Sequence, residues 1–502
     1  MILSNFLKIA SIKYSEFIIR RKRKMENGLQ KKYGLITAIC MVVGIVVGSG
    51  VFFKAQTILQ KTEGNMVMGI WAWLIGGAIM LCCIWAFSIM ATKYEKVNGI
   101  VDYAEATVGT KYGYIVGWFM TIIYYPTLTS VLAWLSARYT LVFLTSAFPD
   151  TFTLVIPAAE GGCVIGPECM ALSVFFLCAA YAINALSPKI AGHFQVATTV
   201  IKLIPLVLMA VVGIIVGLVS DNGVLMENLA YAGAATDGNP LFGAVVATAF
   251  AYEGWIIATS INAELKDAKK NLPIALIAGG IIIVAIYLFY YIGVAGGATV
   301  ETLMANGATV AYTNVFGNAF GNILNVFVAI SCMGTLNGLM LGCTRGIYSL
   351  AARKEGPHPE MFSQVDNVTN MPNNASIFGL LLCGVWFFFF YGSNLAGFNW
   401  FGIFGFDSSE LPIVTIYALY IPIFIMFMKH ATDLGTVKRY VAPILGICGS
   451  VFMVIAAFYA HGFQPYQAAA QAGGFACPIV FYLIVFAVVI VIGLRFYNRK
   501  NK

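Results

Sequence analysis

The stretch "GIVVGSGVF", residues 44–52, lies in the middle of a long apolar run and places Gly44, Gly48, Ser49 and Gly50 close together. Glycine destabilises a helix interior by about 1 kcal/mol relative to alanine. Alone, the stretch has two explanations. Gly44 and Gly48 form a GxxxG pattern that lets two membrane helices pack closely. Alternatively, the helix is interrupted here, and its freed backbone groups line a binding site.

A second weak segment favours the interrupted helix. The stretch "AFAYEGW", residues 249–255, places Glu253 and Gly254 in the middle of a later apolar run. Interrupted helices at matching places in two halves of a chain are typical of secondary transporters whose halves are inverted repeats. The two stretches together therefore predict a transporter with two broken helices.

The composition predicts an all-α integral membrane protein. The chain has 502 residues, of which 60% are hydrophobic and 10% charged. About 20 apolar residues span a bilayer as a helix. On this criterion we predict twelve transmembrane helices, at about 34–59, 67–92, 113–144, 169–187, 193–219, 240–262, 273–296, 320–350, 375–392, 400–428, 437–460 and 475–494.

The interrupted stretches fall in the first and sixth predicted spans. This spacing predicts a transporter core over 33–430, built from two five-helix repeats at about 33–219 and 240–430. Because each repeat has an odd number of spans, the two repeats must have opposite orientations. Residues 1–32 form a basic cytoplasmic tail, and 431–502 supply helices eleven and twelve with a C-terminal cytoplasmic tail.

Lysine and arginine are distributed unevenly between the loops. If the N-terminus is cytoplasmic, 25 of the 30 basic residues lie in cytoplasmic segments, and only Lys54 and Lys61 lie on the outer side. This asymmetry predicts that both termini are cytoplasmic. The formal net charge of +8 is therefore a topology signal. Because the charge is scattered over seven segments, it does not indicate nucleic-acid binding.

The sequence contains no pattern that indicates a cofactor, a metal ion or a partner subunit. It has no phosphate-binding loop of the GxxxxGK[ST] type, and its four histidines are not grouped as metal ligands. Catalytic residues are not expected, because nothing indicates an enzyme. Cys163 and Cys169 flank a predicted outer loop, where a disulfide could form.

Several motifs resemble those of one family. "GSGVF" (48–52), "FAYEGW" (250–255), "ELKDAKKNLP" (264–273) and "SCMGTLNG" (331–338) are similar to motifs of the amino acid–polyamine–organocation (APC) superfamily. Within it, the chain resembles the L-amino acid transporter branch and the bacterial serine/threonine and alanine/serine/cysteine exchangers. "NGIVDY" (98–103) departs from the usual SGGxY.

This resemblance implies a LeuT-like fold of 5+5 inverted helices plus two extra helices. It also implies a sodium-independent plasma-membrane transporter, a permease or exchanger of neutral L-amino acids that works by alternating access. A cationic amino acid or polyamine antiporter of the same fold is the alternative, and coupling to protons stays open.

The expected substrate site follows from the interruptions. A break near Gly48 leaves unpaired N–H groups at Gly48, Ser49 and Gly50, and a helix start binds anions such as a carboxylate. The outer half of the sixth span ends near Phe250 and Ala251, where free carbonyls suit an ammonium group. The interruption of the sixth span also places Gly254 at this site. The resemblance implies that the ammonium group binds carbonyls of Val46, Phe250 and Glu253 and that the Phe250 ring closes the site to the outside.

Ionisable residues inside the spans complete the expectations. Arg138 and Arg345 lie near span ends and can extend to the membrane surface. Lys202 is deeper, where a lysine usually has a functional role. The resemblance places its ammonium near the carbonyls of the first helix, in place of sodium, and a purely structural role is the alternative. Glu253 has three open roles, which are capping freed N–H groups, exchanging a proton, and attracting a cationic substrate.

Overall fold

The computed structural model describes residues 34–94, 99–148, 151, 167–186, 188–219, 224–233, 239–258, 265–366, 371–396 and 399–500. The described chain is all-helical. The predicted tail at residues 1–32 and Cys163 lie outside the described residues, so the Cys163–Cys169 disulfide stays a prediction.

The described residues of the first half of the chain form nine helices. They are α1 (Leu35–Val46), α2 (Gly50–Lys61), α3 (Met66–Lys93), α4 (Ile100–Thr107), α5 (Thr110–Ala147), α6 (Pro167–Leu186), α7 (Pro188–Ile201), α8 (203–219) and α9 (Leu225–Ala230).

The described residues of the second half form eleven more. They are α10 (Pro240–Ala251), α11 (Trp255–Ala258), α12 (Ala268–Ala295), α13 (Val300–Asn306), α14 (Ala308–Phe316), α15 (Asn318–Ala351), α16 (Pro359–Phe362), α17 (Asn373–Leu395), α18 (Leu411–His430), α19 (Val437–Gln471) and α20 (Pro478–Lys500).

Ten helices in the described residues are long and apolar enough to cross a membrane, and the bent pair α1 and α2 would make an eleventh. The short apolar helix α10 is too short to count by itself. The multi-pass architecture expected from the sequence is therefore confirmed at this level.

The helices pack closely around the two interruptions. α12 lies against α1 and α3, while α15 lies against α5 and α6. Gly213 of α8 and Gly293 of α12 bring two backbones into contact, because a side chain at Gly293 would collide with the carbonyl of Met209. We call the face of the bundle at which α1 begins the N-terminal face.

Charged groups join neighbouring segments at the N-terminal face. Arg353, after α15, pairs with Asp102 at 2.9 Å and with Glu105 at 3.0 Å, both on α4. Lys93, at the end of α3, pairs with Asp433 after α18. The exposed pair of Lys93 and Asp433 contributes little stability by itself, but these pairs mark where the long helices reach the aqueous boundary.

Candidate functional site

Two helices are interrupted where the sequence predicted. α1 ends at Val46, α2 begins at Gly50, and the two axes differ by 47°. α10 ends at Ala251, and the chain turns through Gly254 before α11. Gly254 has φ of +106°, a conformation that strains residues with a side chain. Both interruptions therefore leave backbone groups without helical partners.

The two interruptions cross each other at close range. A Cβ atom on Gly50 would lie only 2.6 Å from Ala251 Cα. A Cβ atom on Gly254 would lie 3.3 Å from the carbonyl oxygen of Ile45. The start of α2 thus contacts the end of α10, and the end of α1 contacts the turn at Gly254. Glycine is needed at these points because the backbones touch.

A cavity of about 350 Å³ lies beside this crossing. Seven of the eight predicted substrate-binding residues line it, together with the predicted coupling residue Lys202; the seven are Val46, Gly48, Ser49, Gly50, Phe250, Glu253 and Gly254. Ala251 is not among the lining residues, because it lies against Gly50.

Helix ends of opposite polarity meet at this cavity. The start of α2 at Gly50 presents N–H groups and a partial positive charge, whereas the ends of α1 and α10 present carbonyls and a partial negative charge. Ser49 adds a buried hydroxyl at the cavity wall. A site that presents partial positive and partial negative charges a few residues apart fits a small zwitterion, which carries one charge of each sign.

Tyr287 of α12 holds the two carbonyl ends together. Its hydroxyl lies 3.1 Å from the Val46 carbonyl oxygen and 3.0 Å from that of Ala251. The single proton of this hydroxyl can be donated fully to only one of them at a time. Sequence analysis missed Tyr287, because a tyrosine in an apolar helix looks like an ordinary core residue.

Lys202 reaches the interrupted helix from the junction of α7 and α8. Its ammonium group donates a hydrogen bond to the carbonyl oxygen of Gly44 in the last turns of α1. The side chain is buried, at 1% exposure, and no carboxylate in the described residues pairs with it. A buried lysine without a carboxylate depends on carbonyl dipoles for its stabilisation.

Glu253 lies at the turn after α10 and faces the cavity. Its Oε1 accepts a hydrogen bond from the hydroxyl of Tyr124, on α5. Its Oε2 is buried and has no hydrogen-bond partner among the described residues. One carboxyl oxygen is thus held by the protein, and the other stays available.

Aromatic side chains close the cavity on the side opposite the N-terminal face. The ring of Phe250 packs edge-on against Phe53, with centroids 6.3 Å apart, and Phe53 packs in the same way against Trp134 at 5.3 Å. Arg138 lies over Trp134 and donates to Gln56 at 3.2 Å. Arg138 thus contributes to this closure.

A buried ion pair lies directly above the Phe250 ring. Lys54 of α2 bonds Glu410, at the start of α18, with 2.6 Å between Nζ and Oε1, and its Nζ lies 5.3 Å from the Phe250 centroid. Glu410 Oε2 also bonds His461 of α19 at 3.0 Å. Lys54, which the sequence analysis assigned to the outer side, is 1% exposed.

We expect Lys54→Met to destabilise the closed conformation by about 3–5 kcal/mol, because it leaves the buried Glu410 charge without its main partner. Thermal unfolding in detergent measures the effect. The double variant Lys54→Met/Glu410→Gln should recover much of the loss, since it removes both charges. If the two substitutions were merely additive, the pair would not be coupled.

The cavity extends towards the N-terminal face. Asn184 near the end of α6 lines it at the level of Asn337, to which it donates a hydrogen bond, and Leu341 and Arg345 of α15 continue the wall towards the N-terminal face. Arg345 is solvent-exposed. The site is therefore closed on one side of the membrane protein and approaches solvent on the other.

Comparison with known proteins places this geometry in a family. The family model described as amino acid permease matches residues 33–490. The serine/threonine exchanger SteT of Bacillus subtilis (strain 168) is 30% identical over 440 residues, covering 86% of this chain and 91% of that protein.

More distant relatives are also transporters. The Asc-type amino acid transporter 1 of Homo sapiens is 25% identical, over 67% of this chain and 62% of that protein. The b(0,+)-type amino acid transporter 1 of Oryctolagus cuniculus is 25% identical, over 72% and 73%. The broken helices, the cavity at their crossing and the match over most of the chain agree with one another. The chain belongs to the amino acid permease family and is a transporter, not an enzyme.

Proposed function

We propose that this protein is a sodium-independent exchanger of neutral L-amino acids that works by alternating access. The observation that carries the proposal is the meeting of oppositely polarised helix ends at one cavity. The N–H groups of Ser49 and Gly50 bind the substrate carboxylate. Carbonyls of Val46, Phe250 and Glu253 bind its ammonium group. The similarity to a serine/threonine exchanger over 86% of the chain supports a neutral substrate.

The contact of Lys202 with Gly44 supports sodium independence. A fixed ammonium group bonds a carbonyl that, in a sodium-dependent transporter of this design, could help to coordinate the ion. The charge that would otherwise come from sodium is then part of the protein.

The asymmetric closure of the cavity supports alternating access. Phe250 and the Lys54–Glu410 pair close one side, while the cavity extends to exposed Arg345 on the other. In the proposed cycle, the opposite conformation separates Phe250 from Phe53 and closes the route past Arg345.

We further propose that α10 and α11 form one broken span. This gives twelve spans, arranged as a LeuT-like 5+5 inverted repeat over 33–430 with two further helices in 431–502. The charge asymmetry of the loops supports cytoplasmic termini in the plasma membrane.

This topology predicts a labelling pattern. In a variant with its exposed native cysteines replaced, Thr151→Cys should react with an impermeant thiol reagent applied to intact cells. Lys266→Cys should react only after permeabilisation, because the proposed topology puts it on the opposite side from Thr151. Both positions are exposed. Equal labelling of both in intact cells would contradict the arrangement.

Uptake into proteoliposomes tests the proposed function. Purified protein is reconstituted without sodium and supplied with radiolabelled serine, alanine, leucine, arginine or putrescine, with and without unlabelled serine inside. We expect uptake of neutral amino acids that internal serine accelerates. Uptake that requires sodium, or that prefers arginine or putrescine, would contradict the proposal.

A cationic substrate is the second candidate, and Glu253 is the observation that favours it. Its unpartnered Oε2 faces the cavity and could accept a hydrogen bond from a second amine. In the neutral exchanger that we propose, Glu253 acts mainly within the protein, through Tyr124.

We therefore expect Glu253→Gln to retain serine exchange within about threefold, because glutamine can still accept the Tyr124 hydrogen bond. Initial rates of serine exchange over a range of pH measure this. Tyr124→Phe is the matched control, since it removes the hydroxyl that donates this hydrogen bond to Glu253. Loss of arginine or putrescine uptake with serine uptake preserved would favour the cationic alternative. Loss of the pH dependence of serine exchange alone would indicate that Glu253 exchanges a proton during transport.

A further inference from the structure

The cavity extends beyond the proposed substrate site, which lies at its upper end, away from the N-terminal face. The part nearer the N-terminal face is its lower part. Six lining residues of α15 lie between Thr335, next to Gly48, and Arg345, these two included. These two residues are ten positions apart, which is about 15 Å along an α-helix. An α-amino acid bound at the crossing of the broken helices would occupy only part of this length. The lower part is available for a second bound molecule or a second position of the same one.

The lower part of the cavity contains an unpaired cation. Arg345 lines the cavity, and it forms no salt bridge with any residue in the described part of the chain. A guanidinium group presents a fork of N–H donors that fits a carboxylate. On an α-helix, a long side chain points back towards the N-terminus of the helix. The long side chain of Arg345 can follow this direction from its Cα towards Leu341, one turn nearer the main site.

An unpaired acceptor lies between the main site and Arg345, at the level of Asn337. Asn184 of α6 is 1% exposed and lines the cavity. Its Nδ2 donates to Asn337 Oδ1 at 2.9 Å and to the carbonyl of Ala180 at 2.9 Å, which fixes the amide orientation. Its Oδ1 has no hydrogen-bond partner among the described residues. A buried acceptor left unpaired at a cavity wall is well suited to receive a donor from a ligand.

We propose that Arg345 and Asn184 form a second binding station for the amino acid zwitterion, between the main site and the N-terminal face. Arg345 binds the carboxylate, and Asn184 Oδ1 accepts a hydrogen bond from the ammonium group. Between the two, the walls at Met41 and Leu341 are apolar. The station rests on the proposed function, since it holds the same substrate as the main site.

The station would affect transport on one side only. A substrate that leaves the main site through the lower part of the cavity reaches the station before it reaches solvent. A substrate that enters from the N-terminal face reaches the station before it reaches the main site. Substrate arriving from the opposite face reaches the main site without passing it. The two faces should therefore have different sensitivities to substitutions at Arg345.

The experiment measures exchange of tritiated L-serine in oriented proteoliposomes, with the labelled serine presented to either face. Arg345→Gln should raise KM at the N-terminal face by about tenfold or more, the effect of losing one charge-assisted bond. KM at the opposite face should stay within twofold. Arg345→Lys should restore most of the affinity, because it keeps the positive charge. Asn184→Leu should raise KM at the same face, as a second and independent variant.

Lys438→Gln is the matched control. It removes one exposed positive charge from the same face but leaves the cavity unchanged, so both KM values should stay at wild-type levels. An unchanged KM at the N-terminal face in Arg345→Gln, or an equal rise at both faces, would overturn the station while wild-type exchange upheld the proposed function. Absence of serine exchange in the wild type would overturn both.

Discussion

Gly48→Leu should lower amino acid exchange by about 100-fold or more while the protein still folds and reaches the membrane. A Cβ atom at Gly48 would lie 2.6 Å from Thr335 Oγ1, and the rest of the leucine side chain would enter the cavity. The substrate carboxylate would then lose its contacts with the N–H groups at the start of α2. Each charge-assisted hydrogen bond is worth about 1.5–3 kcal/mol, so losing two gives this magnitude.

The matched control is Gly384→Leu, on the exposed side of α17, where an added Cβ atom meets nothing within 4 Å. It should transport at the wild-type rate. Initial exchange rates are compared at equal amounts of reconstituted protein, and thermal unfolding shows whether each variant is folded. Normal transport by Gly48→Leu would mean that the glycine serves helix packing and that the substrate binds elsewhere.

Lys202→Met should lower exchange by about tenfold or more. Methionine fills a similar volume, but it cannot donate a hydrogen bond to the Gly44 carbonyl, so a buried acceptor at the end of α1 is left unpaired. The charge that we propose in place of sodium is also lost. Initial rates of serine exchange in sodium-free and sodium-containing buffers measure both effects.

Lys266→Met, an exposed lysine after α11, is the control for the loss of a positive charge and should leave exchange unchanged. Two results would contradict the assigned role of Lys202. One is wild-type exchange that requires sodium, and the other is a Lys202→Met variant that transports normally.

The broken helices could be recognised from the sequence because their cause is local. The glycine cluster around Gly48 and the adjacent Glu253 and Gly254 each interrupt an apolar run, and both runs are long enough to be identified as membrane spans. The same is true of Lys202, since a lysine in the middle of an apolar run is conspicuous. Features that depend on one residue and its immediate neighbours can be predicted from the sequence.

The contacts that close the cavity could not be recognised in this way. Lys54 and Glu410 are 356 positions apart, and neither lies in a motif that indicates the other. Tyr287 bonds two carbonyls from different broken helices, but in the sequence it looks like any other tyrosine in an apolar helix. Ala251 was expected in the site because the outer half of the sixth span ends near it with free carbonyls, yet its backbone packs on Gly50.

A structure of the protein with bound L-serine, determined by electron cryo-microscopy in sodium-free lipid nanodiscs, tests the central claim most directly. We expect the carboxylate to lie within hydrogen-bond distance of the Ser49 and Gly50 N–H groups. The ammonium group should lie among the carbonyls of Val46, Phe250 and Glu253. Serine bound away from the crossing of α1, α2 and α10, or a sodium ion at the position of the Lys202 ammonium, would contradict the account.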